Sequence, residues 1–138
     1  MLTRLKEFLA KLSLFSFLFR NRFTINTAKI MKSLKAKSPE EPGYKDIQVR
    51  WLITKDDGAK NFAMRYFEVK PKGHSAHHSH SWEHEVFILD GHYLVECGDQ
   101  EKRVGPGYAI FIPPNVPHCF KNVGDKTLKF LCFTPYEK

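Results

Sequence analysis

Cysteine is scarce in this chain of 138 residues, and what there is of it is scattered. Cys97, Cys119 and Cys132 form no Cys-x-x-Cys pair, and an odd count cannot all pair within one chain. Buried, reduced thiols in a cytoplasmic protein are the expectation. Long apolar runs are missing too. The stretch from Leu12 to Phe19 falls far short of the ~20 residues that span a bilayer. There is no Gly-rich phosphate loop and no Gly-x-Ser-x-Gly elbow, so nucleotide hydrolysis and serine-esterase chemistry have no support. Beyond residue 44 no segment carries a helical period of useful length.

Acidic residues are nearly absent from the first part of the chain. Residues 1–38 hold nine Lys/Arg and the single acid Glu7, while the remainder carries a net −1 of the chain's overall +7. The basic character therefore belongs to the leader and implies no nucleic-acid face on the rest. Leu5, Phe8, Leu9 and Leu12 fall at helical spacing, which fits an amphipathic helix. A secretory segment, an organelle transit peptide and a membrane-surface anchor over residues 1–30 all stay open. So does a start placed too far upstream, with Met31 ahead of Lys32-Ser33-Leu34. The last, or a dispensable tail, is the favoured reading. Residues 1–40 are expected to form this extension and linker, and residues 41–138 the folded domain.

In that domain, short strands alternate with turns. Gln48 to Thr54 ends at Asp57-Gly58, and Phe62 to Val69 stops at Pro71-Lys72-Gly73. Val86 to Leu89 and Tyr93 to Glu96 flank Asp90-Gly91, a two-residue hairpin signal. Gly98-Asp99 marks the next reversal, and Tyr108 to Ile112 and Thr127 to Thr134 complete the pattern. Eight or more such strands imply an antiparallel sandwich or barrel. Val86, Phe87, Ile88 and Leu89 are apolar on both parities, so the outer face requires a cover, and a homodimer is expected.

Histidine carries the chemistry. His78, His80 and His84 share one parity, so on extended chain all three project to the same side. His118 returns after Pro113-Pro114-Asn115-Val116-Pro117. Imidazole is the commonest ligand for borderline divalent metals, so this pattern reads as a metal site. His74, His77 and His92 read as solvated surface histidines, and Trp82 as an aromatic packed over the barrel mouth. Glu85 could replace His84 as a ligand, but its parity points away.

The spacing resembles the two motifs of the cupin family. His78-x-His80 is followed by three residues, His84, six residues and Gly91; the second motif runs from Gly107 through Pro113 and His118 to Asn122. His84 stands where the family usually has glutamate, Asn115 where the second motif has its inner glycine, and Lys72 where the first expects its opening glycine. Asn tolerates a left-handed backbone better than most residues. The His84 exchange is similar to the small single-domain cupins with a four-histidine manganese site. The resemblance, over about residues 44–136, implies an all-β double-stranded β-helix, or jelly-roll barrel. It further implies a divalent metal on His78, His80, His84 and His118: manganese or iron first, with Zn, Ni, Cu and Co as alternatives.

Four neutral donors would leave the ion its full positive charge, which favours an oxygen-donor substrate. The leading expectation is a metal-dependent dioxygenase-type oxidoreductase acting on a small organic molecule. Alternatives are a non-redox isomerase or lyase, for which no further carboxylate lies on the ligands' strand face, and a small-molecule sensing module. Arg65, Tyr66 and Tyr108 receive no role.

Overall fold

A computed structural model describes residues 27–136. The expected leader helix at Leu5 to Leu12 lies outside the described residues. Eight strands follow in order: β1 Lys45–Ile53, β2 Phe62–His74, β3 His84–Asp90, β4 Tyr93–Cys97, β5 Gln100–Val104, β6 Ala109–Ile112, β7 His118–Asn122 and β8 Leu128–Pro135. The helices among the described residues are two single 3₁₀ turns, Met31–Ser33 and Lys55–Asp57. None is long and apolar enough to cross a membrane.

The strands join in the order β5-β4-β7-β2-β8-β3-β6, with β1 added alongside β2. Every pairing is antiparallel. The sheet curls because β2 serves both halves. Its first part, Phe62 to Val69, pairs with β8, and its last residue, His74, pairs with Lys121 of β7. Between them β1 skips from Val69 to His74, leaving a bulge over residues 70–73. Pro71 lacks the N–H that a continuous ladder needs. Lys72 takes φ 66° there, the left-handed conformation that glycine adopts at no steric cost.

One parity of each strand fills the interior. Phe67 and Val69 of β2, Val86 and Ile88 of β3, Phe120 of β7, and Leu128 and Phe130 of β8 pack into one buried cluster. Phe67 and Phe130 stack at 4.8 Å between centroids, and Tyr93 meets Phe130 edge-on at 5.5 Å. This layer is the floor beneath the histidines.

Asp90-Gly91 does not close a hairpin. β3 pairs with β6 and β8, whereas β4 pairs with β5 and β7, so the chain crosses between the two halves at this point. Gly91 has φ 87°, and a Cβ there would lie 2.9 Å from Leu128 Cα. Glycine is needed for close approach to β8 rather than for a two-residue turn. Gly98-Asp99 does close a hairpin, with Cys97 opposite Gln100 and Gly98 at φ 62°.

The outer parity of β3 stays open. Phe87 and Leu89 are each 42% exposed, beside Phe111 of the neighbouring β6. Ahead of β1, Lys37 exchanges two backbone hydrogen bonds with Val49, and Leu34 O accepts from Arg50 Nε at 3.2 Å. Pairing with the sheet thus begins before residue 41.

Candidate metal centre

The three histidines of the first motif do not share one strand. His78 lies in the irregular stretch after β2, as does His80, and His84 opens β3. The ladder cannot run further back because His84 pairs with Ile112, and Pro113 and Pro114 follow on the partner. Backbone bonds between the two motifs replace it. His78 and His118 exchange N–H···O bonds of 3.2 and 2.9 Å, and Asn115 N–H donates to His80 O at 2.7 Å. Asn115 reaches that carbonyl at φ 62°, the left-handed conformation that glycine adopts at no steric cost. The second motif thereby clamps the loop of the first.

His78, His80 and His118 each offer a ligand atom within 4.8 Å of the others, a group that could hold a metal ion. The outer ring nitrogens are already committed. His80 Nδ1 faces Trp82 O at 2.7 Å and His118 Nδ1 faces Val116 O at 2.9 Å, so each of these nitrogens is the N–H donor. That tautomer leaves Nε2 of both rings as a bare lone pair. His118 Nε2 is buried and has no hydrogen-bond partner. His84 stands outside the three-residue group, yet its Nε2 lies 2.8 Å from His80 Nε2. Two lone pairs so close repel unless a proton or a cation lies between them. Nitrogens about 2.0–2.1 Å from one ion and near a right angle would be about 2.9 Å apart. The donor set fits a divalent transition metal.

Burial favours the neutral form of His78, His84 and His118. It lowers the pKa of His78, with His80 adding to the effect, and also that of His118. His84 is pushed down to about 3, first by burial and then by the positive charge of Arg65. Neutral imidazole is the ligating form, so near neutral pH none of these three must shed a proton to bind a cation. His84 Nδ1 lies 3.6 Å from the thiol of Cys132. Glu85 faces outward and is exposed, as parity requires. Cys119 donates its thiol to Ser75 O at 3.2 Å. His77 and His92 are exposed, and the His74 ring bonds Ser75 O.

His78, His80 and His84 line a cavity of about 700 Å³. Trp82 forms one wall by stacking on His80, with centroids 4.3 Å apart and planes 2° from parallel. Tyr44 meets His78 edge-on at 6.0 Å. Its hydroxyl is pushed up to about 12, by burial first and then by Glu41. A Glu41 carboxylate oxygen lies 3.7 Å from His78 Nδ1. Trp51, Lys55, Arg65 and Tyr136 complete much of the lining.

The sequence profile of the Cupin_2 family, a cupin domain, matches residues 65–134, just over half of the chain. The chain belongs to the cupin family. Among solved structures, this cupin is similar to the polyketide cyclase RemF from Streptomyces resistomycificus, with 39% identity, 80% of each chain covered and a TM-score of 0.76. A cupin-2 domain protein from Rhodospirillum rubrum shares 29% identity over 81% of this chain and 75% of that one, at a TM-score of 0.68. The 1-methylthio-D-xylulose 5-phosphate methylsulfurylase of Rhodospirillum rubrum is 37% identical over 75 residues, 54% of this chain and 48% of that enzyme. This cupin thus matches about half the length of that curated relative, and half of an uncharacterised Methanocaldococcus jannaschii protein.

Three groups in the cavity escape a motif-based reading. Arg65 follows Ala63 and precedes Phe67 and Val69 on the inward parity of β2, so a charged residue on an apolar stripe was its available signal. Glu41 and Tyr44 come from the segment ahead of β1, where nothing in the local pattern points to the barrel mouth.

Proposed function

We propose that this cupin is a metal-dependent enzyme that catalyses proton transfer and bond rearrangement on a small oxygenated organic substrate. His78, His80, His84 and His118 would hold the ion, manganese or iron by family resemblance. A divalent ion bound there supplies a Lewis acid for a carbonyl or enolate oxygen. The observation that carries the reading is the arrival of Glu41 and Tyr44 in the same cavity as the histidines. The strand face alone offers no carboxylate, which weakens any non-redox mechanism; the segment before β1 brings one.

Glu41 is largely exposed beside His78 and would act as the base toward a carbon next to a carbonyl. Tyr44 stays protonated at neutral pH and donates a hydrogen bond to a developing oxyanion. Trp51, Trp82 and Tyr136 give the cavity aromatic surface for the substrate's carbon body. The similarity to a polyketide cyclase supports this class of chemistry. Exposed Phe87, Leu89 and Phe111 support pairing of two copies through the outer face of β3 and β6.

A dioxygenase acting on the same kind of substrate is the second reading, favoured by the all-nitrogen donor set. The two separate cleanly. Under argon, in deuterated buffer and with zinc as the ion, a β-dicarbonyl probe such as acetylacetone should exchange its C–H for deuterium faster than in buffer alone. Glu41→Gln should lose that acceleration while retaining the metal. Turnover that strictly requires oxygen, or exchange undiminished in Glu41→Gln, would overturn the proton-transfer assignment.

A further inference from the structure

Arg65 is a charged group in the cavity that the metal site does not use. Its guanidinium carries a permanent charge. It sits 5.4 Å from the ring centroid of Trp51 and 5.2 Å from that of Phe67, both within cation–π range. Its Nη2 donates to Cys132 Sγ at 3.1 Å, and its Nε is buried without a hydrogen-bond partner. Among the described residues no carboxylate lies within ion-pair distance of it. Holding a cation half-buried against two aromatic rings and a thiol costs free energy that a counter-ion would return. The cavity adds Lys55, whose ammonium lies over the Tyr136 ring, and has Glu41 as its one acid among the described lining residues.

We propose that Arg65 is the substrate's anion receptor and that the substrate is a flat carboxylic acid whose carboxylate pairs with its guanidinium. The proposal rests on the reading of the cavity as a substrate site and narrows its substrate class. Carboxylate is preferred over phosphate for a physical reason. The planar fork of arginine matches a carboxylate edge, whereas the described lining supplies no glycine-rich loop of backbone N–H groups to cradle three phosphate oxygens, and its one helical start is the single 3₁₀ turn that Lys55 opens. The aromatic walls then take the body of the acid, with its oxygenated carbon directed toward the histidines.

The test uses the chain's own fluorophores. Trp51 and Trp82 are the two tryptophans of the sequence and both line the cavity, so intrinsic fluorescence reports on its occupancy. The full chain, treated with a chelator so that no metal can bind the probe, is titrated with benzoate, benzamide and phenyl phosphate. Benzoate should bind about 10–100-fold more tightly than its neutral isostere benzamide, as expected for a charge-assisted pair. Arg65→Gln should erase that preference, and Arg65→Lys should keep part of it, since lysine retains charge but loses the fork. Equal affinity for benzoate and benzamide in the wild-type protein overturns the proposal without recourse to any variant. So does a preference that survives Arg65→Gln. Phenyl phosphate binding more tightly than benzoate would make the receptor a phosphate site and overturn the carboxylate assignment. Because the metal is removed, a negative result here leaves the proton-transfer reading to its own experiment.

Discussion

Acid should destabilise the metal-free protein well before its carboxylates titrate. His84 carries the largest share of this effect. Its pKa falls from 6.5 to about 3 on folding, through burial and the charge of Arg65. Because the folded value is the lower one, the unfolded chain binds more protons between these limits, and stability declines as pH drops below 6.5. At pH 8 the residue is neutral in both states and contributes nothing. At pH 5 the unfolded imidazole is almost fully charged while the buried one is not, a loss of about 2 kcal/mol from His84 alone. For a domain of this size that amounts to roughly 8 °C in Tm. His78 and His118 are shifted in the same direction and deepen the decline. The salt-bridged Asp57 and Glu96 also have lowered values, but they act mainly below about pH 4.5. Thermal melts of chelator-treated protein between pH 8 and 5 measure the effect, with His84→Asn as the control. The variant should lose about 2 kcal/mol less than wild type over that range. Identical pH dependence in the two proteins would refute the assignment of this proton to His84.

Removing His118 should abolish metal retention, because it is the only ligand candidate from the second motif and its orphaned Nε2 faces the site. His84→Ala should retain the ion at lower affinity, and metal content after exhaustive dialysis distinguishes them. Asn122→Ala should cost about 2–4 kcal/mol in chemical denaturation. It deletes two bonds donated to Val69 O and Lys126 O, and one accepted from Gly124 N–H, all at a buried position. Lys72→Gly should stabilise by up to about 1 kcal/mol, since it relieves a left-handed backbone at φ 66°; an unchanged melting temperature would argue against strain there.

Much of the barrel could be read from turn chemistry and alternation, because strands buried on one face announce themselves with a period of two. The histidines were legible as ligand candidates for the same reason that the cavity forms: two motifs fix His78 and His118 opposite each other. Their parity was a poor guide to how they converge. Pro113 and Pro114 stop the ladder at His84, so backbone bonds from Asn115 and His118 place His78 and His80 instead. Asp90-Gly91 carried a true conformational signal with a false topological one. Positive φ at Gly91 is real, but the glycine serves contact with β8, and nothing local reveals which strand a turn delivers its neighbours to. Glu41 and Tyr44 were out of reach because their placement depends on how a linker runs across the mouth, which no periodicity encodes.

The position of β8 between β2 and β3 has a consequence for how the protein is made. His84 on β3 and Arg65 on β2 are brought together across Cys132, which belongs to the strand that comes last in chain order. During synthesis both earlier strands leave the ribosome without their shared neighbour, and the apolar inner faces of Phe67 and Ile88 wait uncovered until it follows. Pairings that span so much sequence close slowly, since the entropy of the intervening loops is lost before the contacts form. The hairpins of β1 with β2 and of β4 with β5 are the pieces that can assemble early and locally. Nascent chains halted before Leu128 should therefore be bound by chaperones and cleaved readily by proteases, and resistance should arrive abruptly once β8 has emerged.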